Sequence, residues 1–198
     1  MAQNSLSKHA IDSTWSLFLD RDGVINERIP DHYIDKVEDF QFTFNAVEAI
    51  RQFSKYFQHV FIVTNQQGIG KELMTHDQLH TVHENMLSQI TAAGGWIDNI
   101  YYAPELKTVP YNTRKPSPAM ALQAKEDFPS IDFKKSIMIG DSISDIEFAT
   151  NCEMVPILIT SKEEAIEKLN FNPQYSILKS KIAGDYSNLW RFWEDLES

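Results

Sequence analysis

Short apolar runs of strand length alternate along the chain with longer stretches whose apolar residues recur every three or four positions. The runs Trp15 to Leu19, Val60 to Val63, Ile97 to Tyr102, Ser136 to Ile139 and Val155 to Ile159 predict strands. Helical spacing predicts helices over Ala46 to Tyr56, His76 to Thr91, Pro118 to Glu126 and Asp145 to Thr150. Thr75 with Gln78 has the spacing of a capping box, Ser117 before Pro118 suits a helix start, and Ser161 with Glu164 opens a further helix. Strands separated by helices imply an α/β fold: a Rossmann-like three-layer sandwich with a mostly parallel sheet covered on both faces.

From Ser161 onward the pattern predicts closing helices and irregular chain, with Trp190, Phe192, Trp193 and Leu196 packing on the sheet. No repeat, low-complexity tract or Pro/Gly linker divides the sequence, so residues 1–198 read as one domain, with 1–14 a flexible N-terminal extension. The longest segments without a clear period are Asp22 to Asn45 and Ala103 to Pro116. Each follows a strand, which puts both at the carboxyl edge of the sheet, where open α/β folds bind ligands.

The balance of 18 basic against 28 acidic residues gives a net charge of −10 in 198 residues, so no broad basic surface is available for nucleic acid or anionic membrane. A small anionic substrate would need local neutralisation, by side chains or by a metal. The single cysteine, Cys152, excludes an internal disulfide and a cysteine-based zinc site, and reads as a buried apolar residue. Residues 1–14 lack the apolar core of a secretory signal, and no later run has the length of a membrane span. The expectation is a soluble cytoplasmic protein, and the lack of a heptad seam makes a monomer the default.

Four segments carry candidate chemistry. Phe18-Leu19-Asp20-Arg21-Asp22-Gly23-Val24-Ile25-Asn26 places two acids, one residue apart, where an apolar strand stops, and Gly23 permits a sharp turn. Carboxylates so close repel unless a cation or proton separates them. A solvated acidic turn is the alternative, whereas an EF-hand loop fails because Val24 and Ile25 stand where it needs an oxygen ligand and glycine. Val63-Thr64-Asn65-Gln66-Gln67-Gly68-Ile69-Gly70-Lys71 sets a hydroxyl and amides at the next strand tip, suited to phosphate oxygens or to an ordinary polar loop. It is no Walker loop, since Asn65 replaces the first glycine and Glu72 follows the lysine.

Arg114-Lys115-Pro116-Ser117-Pro118 fixes two cations before a helix start, where Lys115 can neutralise a phosphate and Arg114 can grip one; a solvated basic pair is the other reading. Ile139-Gly140-Asp141-Ser142-Ile143-Ser144-Asp145 again ends a strand on an acid, and Asp145 either reaches back to the same edge or caps a helix. Hard oxygen ligands without a His or Cys cluster suit Mg²⁺.

In order, these segments resemble the four motifs of the haloacid dehalogenase superfamily of aspartate-dependent phosphatases, over roughly Phe18 to Ile159. The resemblance implies that Asp20 is the nucleophile, Asp22 the general acid and base, Thr64 the phosphate-binding hydroxyl and Lys115 the cation beside the phosphoryl group. Asp20, Asp22 through its main-chain carbonyl, and Asp141 would hold Mg²⁺, with Asp145 supporting. Gly23-Val24-Ile25-Asn26, Asp31-His32-Tyr33-Ile34 and Phe40-Gln41-Phe42 narrow the likeness to the branch with heptose 1,7-bisphosphate and histidinol-phosphate phosphatases, which lack a large cap domain. Asn26, Arg28, Asn65, Gln66 and Arg114 are then candidate substrate contacts. Many relatives carry a Cys/His zinc loop before the Arg-Lys-Pro motif, but Tyr102 to Thr113 contains neither residue type, so no zinc is expected.

The implied function is Mg²⁺-dependent phosphomonoester hydrolysis of a small phosphorylated metabolite, such as the 7-phosphate of D-glycero-D-manno-heptose 1,7-bisphosphate. A histidinol-phosphate phosphatase, a polynucleotide 3′-phosphatase and a non-catalytic binding protein are the alternatives.

Overall fold

The computed structural model describes residues 11–30, 32–160 and 177–198. Its strands are β1 (Ser16–Leu19), β2 (His59–Asn65), β3 (Asn99–Ala103), β4 (Ser136–Gly140), β5 (Val155–Ile159) and β6 (Gly184–Tyr186). The α-helices among the described residues are α1 (Ala46–Tyr56), α2 (His76–Ala92), α3 (Ala119–Asp127), α4 (Ile143–Asn151) and α5 (Leu189–Glu197). The sheet is wholly parallel, in the order β3-β2-β1-β4-β5-β6.

Alternation within the strands builds two cores. Leu17, Leu19, Val60, Ile62, Ile137 and Ile139 face α1, α2 and α5, where Ile50, Phe53, Met86, Ile90 and Phe192 complete one apolar layer. Phe18, Phe61, Val63 and Met138 face the other way, onto Met120, Ala121 and Ala124 of α3 and Phe148 and Ala149 of α4. Both faces are therefore covered, as near-continuous apolar strands require. Cys152 is buried in the second layer, and burial pushes its thiol up to about 12, in keeping with an apolar role.

The chain runs outward from β1 through β2 to β3, then returns to lay β4 on the other side of β1. This reversal opens a crevice at the carboxyl ends of β1 and β4. Leu19 pairs with both Ile62 and Ile139, so the residues just beyond these strands emerge together at that edge.

Several boundaries differ from the sequence expectation for local reasons. β3 starts at Asn99 because Asp98 turns its carboxylate onto the Val60 amide, 2.8 Å away. α4 starts at Ile143 because Ser142 and Asp145 form a capping box that the apolar period does not reveal. β6 is too short to show alternation in the sequence. Of the C-terminal aromatics, Phe192 meets Tyr186 of β6 at 5.3 Å between ring centroids, but Trp193 packs on α1, 6.0 Å from Phe53 and 5.8 Å from Tyr56. The expected flexible extension of 1–14 is packed from residue 11: Ile11 is buried and its carbonyl accepts from Tyr56 Oη at 2.8 Å. The helix expected from Ser161 and Glu164 lies outside the described residues.

Candidate active site

Asp20 leaves the end of β1, and its amide donates to Ile139 O of β4 at 2.9 Å, which ties the first motif to the last. The turn that follows is closed by Gly23 N to Asn26 O at 2.7 Å and by three amides donating to Arg21 O. Gly23 has a φ of +87°, and a Cβ there would stand 2.1 Å from Asp141 Oδ2, so conformation and space both demand glycine. At Gly140, a Cβ would fall 2.1 Å from Asp145 Cβ, so this glycine lets α4 bring Asp145 against the strand end.

Lys115 and two acids, Asp20 and Asp145, form the buried centre. Lys115 Nζ lies 2.7 Å from Asp20 Oδ1, 2.6 Å from Asp145 Oδ1 and 2.7 Å from Val63 O. Burial opposes the ammonium charge, but Asp145 and Asp20 outweigh it and raise the lysine pKa. Burial pushes the Asp20 carboxyl above the usual carboxylate range, with Lys115 pulling the other way. Asp145 fills both roles anticipated for it: Oδ2 caps α4 through the Ser142 amide at 3.0 Å, while Oδ1 turns to Lys115.

Asp22 stands beside this centre in a cage of donors. Arg21 Nη2 reaches its two carboxylate oxygens at 2.8 and 3.0 Å, Arg21 Nε reaches Oδ1 at 3.2 Å, Asn26 Nδ2 at 3.0 Å, and Gln66 Nε2 reaches Oδ2 at 2.8 Å. Burial works against its charge, yet Arg21, Asn26 and Gln66 prevail and hold the carboxyl below its ordinary value. Gln66 also donates to Thr64 Oγ1 at 2.9 Å, which leaves the threonine O–H as a donor.

The oxygen set fits a hard divalent cation. Carboxylate oxygens of Asp20, Asp141 and Asp145 lie within 4.8 Å of one another, and two of these acids already share a single lysine. Arg28 marks the same demand for positive charge: its Nη2 bridges the Asp22 carbonyl at 3.1 Å and Asp141 Oδ1 at 2.9 Å. That side chain is 53% exposed, so it can withdraw toward solvent.

Thus Asp20, Asp22, Thr64, Lys115, Asp141 and Asp145 converge. All of them but Asp141 line a cavity of about 540 Å³, which Arg28, Tyr33, Gln66, Lys71 and Arg114 line as well. Asn26 does not reach it: fully buried, it spends its amide on Asp22 and Glu27 O and orients the acid from beneath. Asn65 lines the cavity and also exchanges hydrogen bonds with the Lys115 main chain, at 2.9 Å to its amide and 3.3 Å to its carbonyl, so it clamps the lysine segment to β2. The loop without Cys or His is closed by Glu105, whose carboxylate accepts from Thr113 Oγ1 at 2.8 and 2.9 Å.

Two participants were not singled out from sequence. Arg21 is read there only as a spacer between acids, and alternation alone does not say that it folds back on Asp22. His83 Nε2 accepts from Arg21 Nη1 at 3.1 Å; the usable signal is its position on the apolar face of α2, between Leu79 and Met86.

A HAD-hydrolase-like family model matches residues 112–181. The chain is 36% identical over 166 residues to D-glycero-alpha-D-manno-heptose-1,7-bisphosphate 7-phosphatase of Campylobacter jejuni, covering 84% of this chain and 92% of that protein. It is also 36% identical over 139 residues to D-glycero-beta-D-manno-heptose-1,7-bisphosphate 7-phosphatase of Rhodopseudomonas palustris, covering 67% and 76%. The fold is similar to the crystal structure of the D,D-heptose 1,7-bisphosphate phosphatase of B. bronchiseptica complexed with magnesium and phosphate, with a TM-score of 0.79 at 22% identity over 92% and 98% of the two chains. The motifs converging at one sheet edge and the identity across most of the chain lead to one conclusion: this protein belongs to the haloacid-dehalogenase-like hydrolases, in the branch of the heptose bisphosphate phosphatases.

Proposed function

We propose that the protein removes the 7-phosphate of a D-glycero-D-manno-heptose 1,7-bisphosphate through an aspartyl-phosphate formed on Asp20. The observation that carries this reading is the cavity over Asp20. In a chain of net charge −10, its lining gathers Arg28, Lys71, Arg114 and Lys115, as a small sugar bearing two phosphates would need. The relatives named for this substrate give it its identity.

Mg²⁺, held by Asp20, the Asp22 carbonyl and Asp141 with Asp145 supporting, would supply the charge neutralisation that lets an anionic nucleophile approach an anionic phosphoryl group. An Asp20 oxygen attacks phosphorus in line; the new O–P bond forms as the bond to the sugar oxygen breaks. Asp22 gives a proton to the departing alkoxide and then takes one from the water that cleaves the aspartyl-phosphate. Its caged, ionised resting form suits the second step, and an incoming phosphate beside it raises its proton affinity for the first. Thr64 Oγ1 and Lys115 Nζ hold phosphoryl oxygens, and Arg114 and Arg28 reach the rest of the substrate. The Glu105–Thr113 clasp closes the neighbouring loop with hydrogen bonds, so this reading needs no zinc there.

The test is phosphate release with and without Mg²⁺ from both anomers of the heptose bisphosphate, hexose phosphates, histidinol phosphate and a 3′-phosphorylated oligonucleotide. The expected result is the highest kcat/KM on a heptose bisphosphate. Preference for another ester would replace the substrate but keep the chemistry, and no release from any would leave a binding protein.

A further inference from the structure

Arg21 is the largest fully buried side chain among the described residues, 1% exposed, and it is charged. A guanidinium has five N–H donors and no acceptor, so every neighbour that satisfies it must present a lone pair. Asp22 takes the Nε and Nη2 edge, and on the far side Nη1 meets His83 Nε2 at 3.1 Å. Because arginine only donates, His83 Nε2 must be unprotonated and the ring proton must sit on Nδ1. Burial, reinforced by the Arg21 charge, keeps the imidazole neutral by lowering its pKa to about 3.

His83 is itself firmly placed. It lies on α2, whose first turn is locked by the Thr75–Gln78 capping box and whose Leu79, Val82, Met86 and Ile90 are buried. A rigid helix outside the catalytic loops thereby fixes one end of the guanidinium whose other end fixes Asp22. The planar fork transmits that constraint, since turning Nη1 away from His83 also turns Nη2 away from the carboxylate.

We infer that His83 is a positioning residue for the reaction proposed above: by accepting the Arg21 Nη1–H it holds the guanidinium, and through it the Asp22 carboxylate, in line with the leaving oxygen and the attacking water. This rests on the reading of Asp22 as the acid and base. A small misplacement of such a group lowers turnover without weakening substrate binding.

The test compares His83→Leu, which removes the acceptor, with His83→Gln, whose amide oxygen can take the place of Nε2. His83→Leu should lose about tenfold in kcat on the heptose bisphosphate with KM unchanged, and His83→Gln should recover most of it. With p-nitrophenyl phosphate, whose phenolate departs without a proton, the pre-steady-state burst of nitrophenol should survive in His83→Leu while steady-state release slows. Wild-type kcat in His83→Leu, or equal losses in both variants, would overturn the role, since the first denies any contribution and the second makes it one of packing volume. If His83→Leu does not fold, His83→Asn replaces it, because its shorter amide cannot reach Arg21; wild-type turnover in Asn would overturn the proposal. A wild-type enzyme that releases no phosphate from any ester would instead defeat the functional reading itself, a result distinct from an active enzyme indifferent at residue 83.

Discussion

A Cβ placed on Gly23 would stand 2.1 Å from Asp141 Oδ2, so the turn after β1 and the end of β4 are in contact beside the carboxylates proposed to hold the metal. Gly23→Ala therefore meets two penalties, the steric clash and the positive φ of 87°. A strained left-handed residue alone costs about 1–3 kcal/mol. The variant should melt at a lower temperature and bind Mg²⁺ more weakly by calorimetric titration, because Asp141 is the atom that must yield. Unchanged Mg²⁺ affinity would mean that Asp141 is not a ligand.

Asp20→Asn preserves size and polarity but removes the proposed nucleophile. Its turnover should fall by about a thousandfold or more, with the circular dichroism spectrum unaltered. Near-normal phosphate release would exclude the covalent route.

Lys115 is the counter-charge for two buried acids, Asp20 and Asp145. Lys115→Met leaves both carboxylates without it. Breaking a buried pair from one side costs about 3–5 kcal/mol, which chemical denaturation should register as a lower midpoint at neutral pH. Mg²⁺ should restore part of the loss, since a divalent cation on the same oxygens replaces the missing charge.

Arg28 lays its guanidinium on Asp141 and on the Asp22 carbonyl, the two groups assigned to the metal besides Asp20. Two cations competing for the same oxygens oppose each other. Arg28→Ala should bind Mg²⁺ severalfold more tightly in a calorimetric titration at low ionic strength, while KM for the bisphosphate rises through loss of a substrate contact.

His83 links stability to pH. Its folded pKa of about 3 lies below the value of about 6.5 expected in the unfolded chain. Between these values the unfolded state binds more protons, so stability is complete above pH ~6.5 and declines as pH falls. The contribution of this residue amounts to about 2 kcal/mol lost on going from neutral pH to pH 5. His83→Gln should flatten the stability profile across that window in denaturant titrations at fixed pH.

The sequence by itself determined the layered architecture, because strand-length apolar runs alternating with helical periods admit little besides a parallel sheet covered on both faces. It also marked the strand-end positions of Asp20, Thr64 and Asp141, since an apolar run that stops on a polar residue must deliver that residue to the sheet edge. Lys115 and Asp145 were legible as motif members. What tertiary structure decided is which atoms meet: that one lysine is shared by two acids, that Asn26 lies beneath Asp22 and not in the cavity, and that Asn65 clamps the lysine segment. The link from α2 through His83 and Arg21 to Asp22 joins residues 62 positions apart, and no local pattern encodes it. Periodicity reports which face of an element is buried; it cannot report what a buried polar group finds there, because that partner is set by how separate elements pack.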